Sequence, residues 1–71
     1  MCIFALKSNT FAQKAKRILQ INGINSEIIR LEPSLTKNGC SFGISIPCDN
    51  LYLSETLLKQ NRLNYTEIIK Q

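Results

Sequence analysis

Three cysteines, Cys2, Cys40 and Cys48, are the side chains best suited to chemistry in a chain of 71 residues that contains no histidine. A thiolate is a nucleophile in its own right, whereas a serine or threonine hydroxyl needs a neighbouring base. Ser34 and Thr36 therefore have no histidine to activate them. The cysteines show no C-x-x-C spacing, and without histidine the chain cannot supply a mixed cysteine–histidine zinc site. A site built from all three cysteines has no spacing to support it, so no metal and no cofactor is expected. An odd cysteine count does not suit a disulfide framework, and nothing else points to secretion. The three are read as thiols in a reducing cytoplasm.

The remaining candidates are weaker. Glu27 and Glu32 have no second carboxylate at a useful spacing, and Asp49 stands where a helix cap is needed. The 3 glycines are scattered, so there is no phosphate-binding loop. Asn64-Tyr65-Thr66 matches a glycosylation sequon, but the apolar start Met1–Leu6 lacks the basic flank and the length of a secretory signal. It reads as a strand instead.

The elements that would position these thiols follow from periodicity. Residues 2–7 are a short apolar run bounded by Ser8-Asn9, a first strand. Thr10 with Gln13 has the form of a capping box, so a helix is expected to start there. Its buried face would be Phe11, Ala15, Ile18 and Leu19, and its solvent face Lys14, Lys16, Arg17 and Gln20. Gly23 suits the left-handed position that closes a helix. Ile24 to Leu31 reads as a second strand at an edge, stopped by Pro33. After a polar loop, Phe42, Ile44 and Ile46 alternate with Ser41, Gly43 and Ser45, a third strand with one apolar face and one face of small residues. Asp49 would cap a second helix running to about Asn61, with Leu51, Leu57 and Leu58 inward. Residues 65–70 form the last strand.

Residues 18–25 resemble residues 57–64, and each segment leads into a Glu-Ile-Ile-basic strand. Two β-α-β halves in one short chain predict a single α+β domain over 1–71, the ferredoxin-like βαββαβ sandwich. Its antiparallel sheet would have the order 4-1-3-2, and right-handed crossovers would put both helices on one face.

That geometry separates the thiols. Cys40, at the start of the third strand, would lie near Lys7 and Ser8 and the N-terminus of the first helix, with Arg30 and Lys37 at the same end of the sheet. A helix N-terminus and nearby cations favour a thiolate, and Asn38-Gly39 could turn backbone amides toward the sulfur. Against this stands the ordinary fate of a free cysteine, which is burial. Cys2 and Cys48 would sit at the opposite end, near each other, with Cys48 too far away to resolve a bond formed at Cys40.

Composition narrows the partners. A net charge of +4 is mildly basic. The cations are spread along the chain, and the small residues of the third strand offer no aromatic platform, so nucleic acid is not expected. A weak anionic ligand or an acidic partner remains open. No run reaches the ~18–20 apolar residues of a membrane span. A homodimer is expected to pair through the flat face of Ser41, Gly43 and Ser45 or through the outer strand edges.

Several short segments resemble the selenium/sulfur carrier protein-like family, small domains found largely in anaerobic bacteria. They are Phe4-Ala5-Leu6-Lys7-Ser8, Leu19-Gln20-Ile21-Asn22-Gly23-Ile24, Arg30-Leu31-Glu32-Pro33, and Cys40 seven positions after that proline. The family places a glycine directly after its cysteine, whereas here Gly39 precedes and Ser41 follows. The resemblance implies a carrier rather than a turnover enzyme. Cys40 would hold sulfane sulfur or selenium as a persulfide or selenosulfide, supported by Lys7, Ser8, Arg30, Lys37 and Gly39, and would exchange it with donor and acceptor proteins. The competing expectation is a regulatory or interaction module on the same fold, since fold alone does not choose between them.

Overall fold

The computed structural model describes residues 1–32, 34, 36, 37 and 39–70. Strand β1 (Cys2–Leu6) leads into helix α1 (Asn9–Ile21), then β2 (Glu27–Arg30) and β3 (Phe42–Ile46). A 3₁₀ turn (Cys48–Asn50) enters helix α2 (Leu51–Gln60), and β4 (Glu67–Lys70) closes the chain. The sheet order is β2-β3-β1-β4 with every pairing antiparallel, the order expected from the sequence. β1 is central, and its five residues are all buried because both of its faces are covered.

One face carries the main core. Cys2, Phe4 and Leu6 from β1 and Ile44 and Ile46 from β3 meet Ala12, Ala15 and Leu19 of α1 and Leu58 of α2. Both helices therefore lie on this face. Phe11 does not join them: it is 39% exposed, and Ala12 takes the inward position. In α2 the fully buried positions are Ser54 and Leu58, while Leu51 and Leu57 are half-buried.

The helix starts differ from expectation. Ser8, not Thr10, caps α1: its backbone is extended and its Oγ accepts the Phe11 amide at 3.3 Å. That bond satisfies one of the orphan amides of the first turn. Asp49 makes no cap either. The chain enters α2 through the 3₁₀ turn, whose first bond runs from the Asn50 amide to the Pro47 carbonyl at 3.0 Å, and Asn50 at the cap makes no side-chain bond.

The helix ends are built twice to one plan. Gly23 donates to Gln20 O and Ile24 to Leu19 O, at 3.1 and 2.9 Å. Arg62 donates to Lys59 O and Leu63 to Leu58 O, again at 3.1 and 2.9 Å. Asn22 and Asn61 each send Nδ2 to the carbonyl four residues back, both at 2.8 Å. These are paired Schellman caps, each with a buried apolar residue just beyond the turn. The internal repeat is thus physical, down to the capping bonds.

The other face of the sheet is not the open platform that Ser41, Gly43 and Ser45 predict. Ile3 and Ala5 point there by alternation, and they are 2% and 0% exposed. Gly43 is buried as well; a Cβ on it would fall 2.8 Å from Ile3 Cγ2 and 3.0 Å from Leu31 Cδ1. Further along, the Lys37 amide donates to Glu67 Oε1 of β4 at 2.7 Å. Two described residues between β2 and β3 therefore meet the sheet on this side, Leu31 beside Gly43 and Lys37 at the edge strand β4. Pro33, expected to stop the second strand, lies outside the described residues.

Cys2 and Cys48 are joined by a disulfide, with Cα atoms 5.1 Å apart. Their proximity follows from the register, which sets Cys2 opposite Ile46, two residues before Cys48. Reading all three cysteines as thiols is therefore corrected: two pair, and Cys40 is the free one.

Candidate functional site

Cys40 sits at the other end of the sheet from the disulfide, just before β3 and near the β1 end where Leu6 pairs with Phe42. The loop before it is pinned by Thr36, 8% exposed, whose Oγ1 accepts the Cys40 amide at 2.7 Å and whose carbonyl accepts the Gly39 amide at 3.4 Å. These two amides are consequently not turned toward the sulfur, as the Asn38-Gly39 pair had led us to expect; Asn38 lies outside the described residues. Gly39 has φ +66°, a conformation that glycine adopts without strain.

The Cys40 side chain is 5% exposed and forms part of a cleft of about 720 Å³. Three segments make its walls: Lys7 after β1, Phe11 in the first turn of α1, and residues 62–66 between α2 and β4. Gly39 and Cys40 complete it. Phe11 is thus exposed for a reason, because it faces the cleft instead of the core.

Among the described residues, the sulfur has one polar partner. Cys40 Sγ lies 3.0 Å from Thr66 Oγ1, and that hydroxyl is also 3.2 Å from the Ala5 carbonyl. The same carbonyl already accepts the Thr66 amide at 2.9 Å. The hydroxyl carries a single proton. With a protonated Cys40, the thiol donates to Thr66 and Thr66 donates to Ala5. With a thiolate, the hydroxyl can turn its proton to the sulfur, and Ala5 keeps the amide. The contact therefore serves both states of the sulfur and leaves no backbone group unpaired.

The charges are of one sign. Lys7 and Arg62 line the cleft, and none of its described residues is acidic. Among the described residues, the ion pair present is Lys59 with Glu55 at 3.9 Å, so neither Lys7 nor Arg62 is neutralised by a carboxylate. Tyr65 is no base. Its hydroxyl donates to the Glu55 carboxylate, and burial first, then that bond and the adjacent negative charge, push it from 10.0 up to about 12. Its ring packs against Phe4 with centroids 4.9 Å apart.

Of the residues singled out from sequence, Cys40, Lys7 and Gly39 share the cleft. Ser8 stands next to it as the α1 cap. Arg30 and Lys37 do not line it: the Arg30 guanidinium lies over the Phe42 ring at 5.7 Å, and Lys37 is anchored through its amide to β4. Sequence reasoning overlooked Arg62, Asn64 and Thr66. The repeat held a signal for Arg62, since it stands where the first half has Gly23. Thr66 had none, because its contact with Cys40 depends on long-range register. Among the described residues, no three His, Cys, Asp or Glu side chains gather as a metal site would require.

The arrangement is that of a small α+β domain presenting one thiol in a cationic cleft, with a hydroxyl against the sulfur and, among the described residues, no carboxylate or imidazole beside it. The family model described as "Putative Se/S carrier protein-like" matches residues 1–70, and the chain belongs to that family. No curated protein and no solved structure matches it. No helix among the described residues is long and apolar enough to cross a membrane.

Proposed function

We propose that this domain carries sulfane sulfur or selenium on Cys40, on a framework of ferredoxin-like type. The observation that carries the reading is the placement of the free thiol, in a cleft and against a hydroxyl able to donate to an anionic sulfur. Loading from a donor persulfide balances without an oxidant. The Cys40 thiolate attacks the terminal sulfur of the donor, a new S–S bond forms at Sγ, and the old one breaks with its electron pair leaving on the donor thiolate. Unloading reverses the roles: an acceptor nucleophile takes the terminal atom and Cys40 leaves as thiolate. Selenium in place of the terminal sulfur follows the same course. Nothing in this cycle calls for a general base other than solvent, provided the thiolate is populated.

Donor and acceptor proteins belong to this reading, and so does a cytoplasmic location, in which the Cys2–Cys48 bridge has to resist reduction while Cys40 stays free for want of a partner. Its test is incubation with a persulfide donor, followed by peptide mass. One added sulfur on the Cys40 peptide, absent in Cys40→Ser and removed by a thiol acceptor, is the expected result. A wild-type chain that takes up no sulfur or selenium from any donor sinks the carrier.

The low exposure of Cys40 supports a second reading, an interaction module in which this thiol is only a packed residue. Pairing of two copies through the edges of β2 or β4 would belong to it. Solution scattering that stays monomeric across a concentration series counts against that pairing.

A further inference from the structure

We propose that the Cys40 cleft is an anion site, built by Arg62 and Lys7, whose ligand class is a small thiosulfonate-type donor: a transferable sulfur attached to an oxyanionic group. This deepens the carrier reading and rests on it for the transfer step, though not for the anion binding.

Four observations lead there. The cleft, about 720 Å³, has the size of a small-molecule site. Cys40 is 5% exposed within it, which a small donor reaches more readily than a sulfur on another folded protein. The cleft also holds two cations and no acidic residue among those described, and no ion pair occupies either cation. A guanidinium matches the planar, bidentate geometry of an oxyanion.

The fourth observation is the backbone at Arg62. It occupies the left-handed turn position with φ +57°, the only described non-glycine residue with positive φ. The identical turn after α1 uses Gly23 at φ +77°. Capping alone would favour glycine in both. An arginine held in the costlier conformation at the wall of the cleft is the kind of local strain that marks a working residue.

The step balances. The Cys40 thiol releases its proton to solvent, and the thiolate attacks the outer sulfur of the donor. The Cys40 S–S bond forms while the bond from that sulfur to the sulfonyl group breaks. The electron pair departs on the sulfinate, or on sulfite when the donor is thiosulfate. Arg62 and Lys7 would hold the oxyanion that leaves, and the persulfide remains on Cys40 with no outside oxidant or reductant.

The test compares two alkylating agents of similar size, anionic iodoacetate and neutral iodoacetamide, by their rates at Cys40. In Arg62→Gly the iodoacetate-to-iodoacetamide ratio should fall by about fivefold, the effect of losing one partly exposed charge. Arg62→Lys should keep most of it. Sulfate, an oxyanion with no sulfur to give, should protect wild-type Cys40 from iodoacetate and protect Arg62→Gly less. The glycine variant should also melt higher, so a folding defect cannot mimic the result. An unchanged ratio with unchanged protection overturns the anion site, even if Cys40 accepts sulfur from a protein donor. Arg62-dependent selectivity, with no sulfur transferred from any donor, supports the anion site and removes the carrier reading instead.

Discussion

In the proposed carrier, the reactivity of Cys40 turns on its contact with Thr66. A hydrogen bond to a charged sulfur is worth about 1.5–3 kcal/mol, more than one to a neutral thiol. Thr66→Val keeps the shape and removes the donor, so we expect iodoacetamide labelling of Cys40 at neutral pH to slow by about tenfold. Thr66→Ser, which restores the hydroxyl, should recover most of the rate. Equal rates for wild type and Thr66→Val would show that the hydroxyl only packs. Cys40 itself was legible, because it is the cysteine that the predicted strand order brings next to Lys7 and the start of α1. Thr66 was not, since nothing in residues 64–66 marks a partner 26 positions earlier in the chain. Arg62 was half legible: the repeat showed it replacing Gly23, but only the observed φ turns that difference into a cost. An L-residue in this conformation loses roughly 1 kcal/mol or more. Arg62→Gly should therefore raise stability by about that amount in a denaturant titration, and a loss of stability would mean that the side chain braces the fold.

Strands and helices were readable because each carries a period, and the loop between β2 and β3 was not because loops carry none. The alternation of Phe42, Ile44 and Ile46 identified the core face of β3 correctly, yet the opposite residues were mistaken for a bare surface. Gly43 explains the error. Its missing side chain looked like an uncrowded sheet, whereas it makes room for Leu31 and Ile3. Ile3 belongs to the buried central strand and has little freedom to yield, so Gly43→Ala should cost about 1–3 kcal/mol through overpacking. A variant as stable as wild type in urea would mean that Leu31 moves aside freely. A different constraint joins α2 to the approach of β4. Tyr65 donates to Glu55, and its ionisation is displaced from 10.0 to about 12 in the folded chain. The folded state thus holds the phenol proton more tightly than the unfolded state does. The resulting stabilisation is complete below pH 10.0 and is lost as pH rises toward about 12. Tyr65→Phe should flatten that part of the stability profile; an unchanged alkaline slope would rule the pair out as its source.

A domain of 71 residues buries too little surface to be generously stable, and the Cys2–Cys48 disulfide bears directly on that margin. The odd cysteine count argued against any bridge, but an odd count excludes only complete pairing. Two cysteines can join and leave the third as a free thiol. The sheet makes this division of labour spatial: antiparallel strands put the bridge at one end of β1 and β3 and the Cys40 cleft at the other. The bridge spans a sequence separation of 46 and ties the first strand to the entrance of α2. A loop of that length restricts the unfolded chain by an amount corresponding to about 4 kcal/mol in the chain-entropy account, with about 2–4 kcal/mol typical in practice. Cys48→Ser is the suitable probe, because Cys48 is exposed while the Cys2 thiol it leaves behind is tolerated in an apolar core. The variant should unfold at lower urea concentration by the equivalent of about 2–4 kcal/mol. Below its transition, Cys40 should still be labelled at the wild-type rate, because the bridge and the cleft share no residue. A parallel fall in both quantities would show that the bridge holds the cleft in shape as well as the fold, so that oxidation at one end of the sheet would govern the thiol at the other.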